Sequence, residues 1–352
     1  MSELLVNKVT FGSNGSQVSP GLTGFRNKII NGNFDIWQRN TTQTTSGYGS
    51  DDRWRNENSG STKVHSQQTF ALGQTDVPGN PKYFSRTVVT SVAGATNFVT
   101  KAQRIEYVET LAGKTATLSF WAKADSTKNL GYDIYQMFGT GGSPSGNVTA
   151  SIGNIALTSN WTRYTITFNV PSVSGKTKGS DGNDSFIVRF WFDAGSSYTG
   201  GSLTVGQQSG TFDIAQVQLE EGSEATEFEQ RPLTTEIQLC QRYFEKSYTL
   251  NTPQGTVTQV GMVTTASMNT SDFYNLGFTK FQTVKRSISP VIVPYSPFDG
   301  SLGVLYNIAL NTNQGNSGVT GTSDNSFRVN CSNSAMTAAN AFGYHYTADA
   351  EL

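Results

Sequence analysis

The sequence predicts a mainly β protein: an antiparallel β-sandwich of the jelly-roll type, then a short connector helix, then a smaller C-terminal β domain. Three observations predict it. Charged residues make up 14 % of the 352 residues and hydrophobic residues 36 %, with 11 % aromatic and 36 Gly. That is too aromatic for a linker and too weakly charged for a disordered chain. Apolar and polar residues alternate with a period of two in segment after segment, as in strands with one buried face. The runs between them, such as GTGGSPSGN, SVSGKTKGSDGND and AGSSYTGGS, are turn chemistry with no helical period. They fit an antiparallel sandwich and argue against crossover-linked parallel sheets.

Residues 1–26 read as an arm. Leu4, Val6 and Val9 stand isolated, and the GSNGSQVSPGLTG that follows has no periodicity. So few apolar residues do not offset the ordering entropy, so the arm is expected to order on a partner. The sandwich is assigned to 27–233. In KTATLSFWAKA (114–124), Ala116, Leu118, Phe120 and Ala122 point one way and Thr117, Ser119, Trp121 and Lys123 the other. SFIVRFWFD (185–193) sets Phe186, Val188, Phe190 and Phe192 against Ile187, Arg189, Trp191 and Asp193. WTRYTITFNV (161–170) turns Tyr164, Ile166, Phe168 and Val170 inward, and Trp161, Arg163, Thr165 and Thr167 outward. YFSRTVVTSV, QRIEYVE, NLGYDIYQMF and TFDIAQVQLEE read as further strands.

PLTTEIQLCQRYFEKSY (232–248) is the one stretch with a helical period. Thr235 with Gln238 makes a capping box, and Ile237, Cys240 and Phe244 fall on one stripe with Leu239 and Tyr243 beside it. A helix over 235–247 is expected within a connector at 234–248. Its stripe is read as core material that fixes the orientation of the two domains. Residues 249–352 return to strands, GTVTQVGMVTTASM, VIVPYSPF, GVLYNIALN, SFRVNCS and FGYHYTADAEL.

Several function classes are unsupported. A net charge of −1 without a Lys/Arg cluster gives no footprint for nucleic acid. No run of about 18 apolar residues occurs, so no membrane insertion is expected, and MSELLVNKVTFGSNG lacks the features of a secretory signal. Cys240 and Cys331 form neither a CxxC motif nor a disulfide framework and read as packed thiols. The two histidines, His65 and His345, stand apart, and no HExxH, GxSxG, P-loop or dinucleotide fingerprint is present. His345 is expected on a strand face. Asp133, Asp193, Glu106 and Glu109 are candidates for a two-carboxylate glycosidase site, but nothing in the sequence selects a pair. The chain is expected to bind rather than to catalyse.

The candidate binding residues are Trp121, Trp161 and Trp191, each on the polar face of its strand, with Arg189 beside Trp191. Flat aromatic rings among hydrogen-bonding side chains suit carbohydrate. The competing reading is packing against loops, the second domain or another subunit, because aromatics are also enriched in protein interfaces. NGNFDIW and FDIAQVQLEEG place Asp35 and Asp213 near the first and last strands of the sandwich. They are candidate hard-oxygen ligands for a structural calcium, against the reading of two ordinary strand-end aspartates.

NKIINGNFDIWQRN followed by DDRW resembles the opening of a family of bacteriophage virion proteins, the tail fibre and tail proteins. LSFWAKAD is similar to their central strand, FDIAQVQLEEGSEATEFEQRPLTTEIQLCQRYFEKSY to the close of their jelly roll, and FGYHYTADAEL to their chain ends. The resemblance covers 27–248 well, the C-terminal domain loosely and the arm poorly. It implies a carbohydrate-binding-module-like jelly roll on a virus particle, assembled in the host cytoplasm, with residues 1–26 docked on other virion proteins and a host surface glycan as ligand. It also implies a calcium near the first and last strands. The acidic pair usual on the last strand is reduced here to Asp213. Such appendages are usually homotrimers. No heptad or triple-helical repeat appears, so a trimer would form through globular faces and the helix. Two other roles stay open. One is a head fibre or capsid-decorating protein. The other is a polysaccharide depolymerase, against which the absence of β-helix repeats speaks.

Overall fold

The computed structural model describes residues 10–11, 16–17, 25–198, 203–266, 273–315, 317–332 and 341–352. Most of the arm assigned to 1–26 lies outside the described residues. Within it, β1 (Thr10–Phe11) and β2 (Ser16–Gln17) pair antiparallel.

The alternating segments form a sandwich of eleven strands. In order they are β3 (Thr42–Gln43), β4 (Arg55–Ser59), β5 (Thr62–Thr69), β6 (Tyr83–Thr90), β7 (Phe98–Glu106) and β8 (Thr115–Ala124), followed by β9 (Lys128–Met137), β10 (Val148–Leu157), β11 (Thr162–Asn169), β12 (Ser185–Ala194) and β13 (Gly210–Glu221). One sheet has five strands, ordered β10-β9-β12-β7-β4, and the other six, ordered β11-β8-β13-β6-β5-β3. All pairings are antiparallel. The inner faces meet in one core. Leu118, Phe120 and Ala122 of β8, Phe186, Val188, Phe190 and Phe192 of β12, and Phe168 of β11 are all buried in it. The inward faces read from alternation on these three strands are the observed ones. Phe34 and Trp54 close one end of the core, with ring centroids 5.4 Å apart and Trp54 stacked on Phe190 at 6.4 Å.

The outer faces are less open than alternation implies. Thr117, Ser119, Gln218 and Glu220 are buried because the chain after β13 folds back over them. Thr117 Oγ1 donates to the Gly222 carbonyl (2.8 Å), and Gln218 Oε1 accepts from the Glu229 amide (2.7 Å).

The helix, α1, spans Leu233–Gln241, earlier and shorter than expected. Pro232 occupies the N-cap and no side-chain capping bond forms, so Thr235 and Gln238 lie inside the helix rather than across its start. The helix stops because Phe244 pairs with Asp349 in a sheet. Phe244 is therefore a strand residue, and Cys240 is the buried residue of the helix. Among the described residues no helix is long and apolar enough to cross a membrane.

The C-terminal unit contains β14 (Phe244–Lys246), β15 (Val263–Ala266), β16 (Phe273–Lys280), β17 (Val291–Tyr295) and β18 (Leu305–Asn307), then β19 (Thr312–Gln314), β20 (Ser317–Thr320), β21 (Ser326–Ser332) and β22 (Ala341–Asp349). β22 is its centre, pairing with β14, β15, β17 and β18, while β16, β21 and β20 form a separate three-stranded sheet. Phe327, Val329, Phe342, Tyr344 and Tyr346 supply a second core. His345 does line a strand face, buried and stacked on Tyr248 at 3.8 Å between centroids.

A buried ionic cluster joins the two units. Arg53, from the sandwich, pairs with Glu351, donates to the Arg104 carbonyl, and lies 3.3 Å above the Tyr243 ring. Arg39 Nη2 donates to Asp349 Oδ2 (2.9 Å), and its Nη1 stands 3.3 Å from Glu351 Oε1. Arg242 makes a two-point contact with Glu106 at 2.9 and 3.0 Å.

Candidate functional site

The three tryptophans do not share a surface. Trp121 belongs to the six-stranded sheet, Trp161 stands just before its edge strand β11, and Trp191 belongs to the five-stranded sheet. Their exposures differ too.

On the five-stranded sheet, Trp191 is 4 % exposed, packed under Leu203 and Val205 and edge-on to Phe98 at 5.9 Å. Its Nε1 donates to Asp133 Oδ1 (2.9 Å), and Arg189 grips the same carboxylate with two nitrogens while resting 4.5 Å from the Trp191 ring. Burial pulls the Arg189 guanidinium down, and the hydrogen bonds and charge of Asp133 more than offset it. Gly131, opposite Trp191 in the ladder, lets the covering segment approach, since a Cβ there would lie 2.3 Å from Val205 Cγ2. This constellation is a closed polar knot under a loop. Both side chains are engaged within the chain, Trp191 under the covering segment and Arg189 on Asp133.

On the six-stranded sheet the pattern opens. The ladders place Lys123 of β8, Asp213 of β13, Arg86 of β6 and Ser66 of β5 side by side in one row, and Trp161, the residue before β11, meets it at the Lys123 end. Four strands at ~4.8 Å spacing make the paired part of this row about 14 Å long. Trp161 is half-buried. Its ring leans on Phe70 (5.2 Å) and edge-on to Phe84 (5.3 Å), and Lys123 Nζ lies 5.2 Å from its centroid. Arg86 Nε and Nη2 donate to Asp213 Oδ1 and Oδ2 at 2.7 and 2.8 Å, with Lys123 Nζ 4.0 Å from the same carboxylate. The hydrogen bond to Asp213 holds the Arg86 guanidinium above its ordinary value. Trp121, also half-buried, sits in the next row between Arg163 and Ala215. Two cations share one carboxylate, so the row keeps one positive charge beside flat aromatic faces.

The row also bears on Asp213 as a candidate calcium ligand. Both oxygens of Asp213 are engaged by Arg86 with Lys123 behind them, an environment that repels a divalent cation. Asp35 has a separate partner, Asn33 Nδ2 at 2.8 Å, and burial pushes its carboxyl up from the usual range. Asp35 lines a pocket of about 270 Å³ with Arg231 and Glu236, not with Asp213. Among the described residues no three His, Cys, Asp or Glu side chains are grouped to hold a metal. The residues present do not fit a shared calcium site.

The four carboxylates considered for hydrolysis are separately partnered: Asp133 by Arg189, Glu106 by Arg242, Glu109 by Lys178, and Asp193 by Ser61 and Ser91 at 2.6 and 2.8 Å. Phe70, Phe84 and Arg86 were not singled out from sequence. Their signal is the outward position of Phe84 and Arg86 on β6, two residues apart, legible once the strand's inner face is known.

No family model matches the chain, and no curated protein does. Among solved structures it is similar to a CBM4 module, at 16 % identity and TM-score 0.30, over 55 % of this chain and 98 % of that one. It is similar to the family 11 carbohydrate-binding module from Clostridium thermocellum in complex with a β-1,3-1,4-mixed-linked tetrasaccharide, at 13 % identity and TM-score 0.31, over 52 % and 98 %. It is also similar to the enzymatically active domain of tailspike protein 4 of bacteriophage CBA120, at 15 % identity and TM-score 0.34, over 56 % of this chain and 22 % of that one.

Proposed function

We propose that this chain is a non-enzymatic virion protein of a bacteriophage, a tail fibre or tail-tip subunit, and that it binds host surface glycan through the outer face of the six-stranded sheet. The observation that carries the binding reading is the row Trp161–Lys123–Asp213–Arg86, where half-buried aromatics flank polar groups fixed in place. Sugar rings stack on such faces, and fixed donors and acceptors orient their hydroxyls. The virion reading rests on the sequence resemblance. The homotrimer rests on the same resemblance, and exposed Val257, Val260, Ile288 and Leu302 of the C-terminal unit are apolar side chains such an assembly would cover.

A second reading, a head fibre or decorating protein with this face packed between subunits, draws support from exposed Val64 and Val88 beside the row. Arrays of host polysaccharides probed with the wild type, Trp161→Ala and Trp121→Ala separate the two. Glycan binding weakened by either substitution is the expected result. Wild-type levels in both variants overturn the assignment of the face, release of reducing ends overturns the non-enzymatic reading, and antibody to 249–352 decorating the head of intact particles overturns the tail position.

A further inference from the structure

We propose that the ligand of the six-stranded sheet is an acidic saccharide, one whose carboxylate is held by Lys123 beside Arg86. The inference rests on the glycan reading of that face and names the class of glycan it takes.

The charges of the row differ in how much of each meets solvent. The Asp213 side chain is 3 % exposed, whereas those of Arg86 and Lys123 are 33 % and 30 % exposed. Both Asp213 oxygens accept from Arg86, so the carboxylate is enclosed by the cation that it fixes. That pairing uses Nε and Nη2 of Arg86 and leaves Nη1 outside it. Lys123 Nζ reaches the same carboxylate only at 4.0 Å, beyond hydrogen-bond distance. It keeps its three N–H groups for a ligand. The row therefore turns its positive charge outward and its negative charge inward.

The neighbouring rows add to this bias. Arg163 pairs with Trp121 across the ladder and donates to the Ser119 hydroxyl (3.3 Å) and the Thr226 carbonyl, both neutral. Glu220 of β13 is buried and has Arg26 as its partner at 3.3 Å. Asp125 stands past the end of β8, where it accepts from the Thr211 amide (2.9 Å). Around Trp121, the cations Lys123, Arg86 and Arg163 thus outweigh the enclosed Asp213.

This balance selects among ligands. A neutral sugar presents O–H groups that need acceptors as well as donors, and the charged acceptor of the row is already engaged. A cation is repelled. A carboxylate meets ionised donors, and such bonds are roughly twice as strong as neutral ones. Trp121 lies two residues from Lys123 on the same face of β8 and is half-buried. A sugar ring that carries a carboxylate therefore finds an aromatic surface and a free ammonium at adjacent positions.

The test uses the full chain with tetragalacturonate and tetramannuronate, each beside its methyl ester, which keeps the stereochemistry and removes the charge. Binding is read by calorimetry and saturation-transfer NMR. At least one acid is expected to bind about tenfold tighter than its ester, the worth of one charge-assisted hydrogen bond, and the preference is expected to shrink as salt is raised to about 1 M. Lys123→Gln, at a partly exposed position, should bring the acid down to the affinity of the ester and leave the ester unchanged. Trp121→Ala should weaken both. Esters that bind as tightly as the acids overturn the acidic class, and if Trp121→Ala still weakens them the glycan reading of the face stands. An acid preference that survives Lys123→Gln overturns the assignment of the charge. Failure of both acids to bind overturns the inference outright, whatever neutral glycan the face takes.

Discussion

Glu351→Gln tests whether the two units are locked by charge. Glu351 faces Arg53 and Arg39, side chains 1 % and 5 % exposed, and is itself 4 % exposed. Burial works to lower the Arg53 pKa, but Glu351, Tyr243, Tyr48 and Cys240 together more than offset it and raise it. Neutralising Glu351 leaves the Arg39 guanidinium to Asp349 and Asp52, and that of Arg53 to the Arg104 carbonyl and the Tyr243 ring. Breaking a buried pair of this kind costs about 3–5 kcal/mol. Glutamine retains one acceptor, which places the loss near ~3 kcal/mol. With an m-value of ~3 kcal/mol/M in urea, the midpoint falls by about 1 M. The assay has a built-in separation of signals. All five tryptophans, Trp37, Trp54, Trp121, Trp161 and Trp191, lie in the sandwich, so fluorescence follows that unit while far-ultraviolet dichroism follows both. Wild type should show one coincident transition. Glu351→Gln should show two, the dichroism change starting at lower urea. Coincident curves with a midpoint within 0.2 M of wild type, roughly half a kcal/mol by that m-value, would refute the ionic lock.

Other outcomes follow from the same geometry. Trp191→Ala removes a ring packed under Leu203 and Val205 and should destabilise the sandwich by ~3–5 kcal/mol, measured by thermal denaturation, whereas a glycan-specific loss without destabilisation would contradict its packing role. Gly131→Ala forces a Cβ to within 2.6 Å of Leu203 Cδ1 and 2.3 Å of Val205 Cγ2. It should cost about 1–3 kcal/mol and expose the covering segment to proteolysis, and a neutral substitution would show the segment yields freely. Burial pushes the Asp52 carboxyl from 3.8 to about 6. The folded state then holds an extra proton between these values, so stability falls as pH rises from about 4 to 6, a loss of about 3 kcal/mol at 1.36 kcal/mol per unit. Asp52→Asn should flatten that part of the melting-temperature profile, and an unchanged slope would remove Asp52 as its source. Burial pushes the Cys240 thiol well above its ordinary value, so an aromatic disulfide reagent should label it only after urea is added, and rapid labelling of native protein would contradict the buried assignment.

Much of the fold was legible because the inner faces of β8, β11 and β12 obey a strict period of two, and their phenylalanines, leucines and valines have nowhere to go but the shared core. Strands β4, β5 and β10 were harder to read. RNENS, TKVHSQQT and VTASIGNIAL carry polar or small residues at most positions, and β4 and β10 are sheet edges that need only one partner. The outer faces were not legible at all. Trp121, Trp161 and Trp191 occupy equivalent positions in their own alternations, and only long-range covering tells them apart: Leu203 and Val205 close over Trp191, while among the described residues no such apolar pair closes over the row at Trp161. Charge pairing was hidden for the same reason. Lys101 meets Asp51 from 50 residues away and Arg53 meets Glu351 from 298.

The stretch DDRW shows how much one turn can carry. Asp51 turns into the sandwich to pair with Lys101, both side chains fully buried. Asp52 turns back to accept the Gln38 amide at 2.9 Å. Arg53 adopts φ +71°, a left-handed conformation unusual for a side chain of its size, and reaches out of the sandwich to Tyr243 and Glu351. Trp54 drops into the core beneath Phe34. Successive residues thus anchor the sandwich core, the interface and the core again, and the strained arginine persists because its neighbours on both sides are fixed. The orientation of the two units is therefore set by the turn that completes the first core, not by an apolar stripe on the connecting helix. Under the function proposed above, the chain would transmit load across this joint. A joint made from a core-anchored arginine and a buried carboxylate resists bending in a way that nine residues of half-buried helix do not.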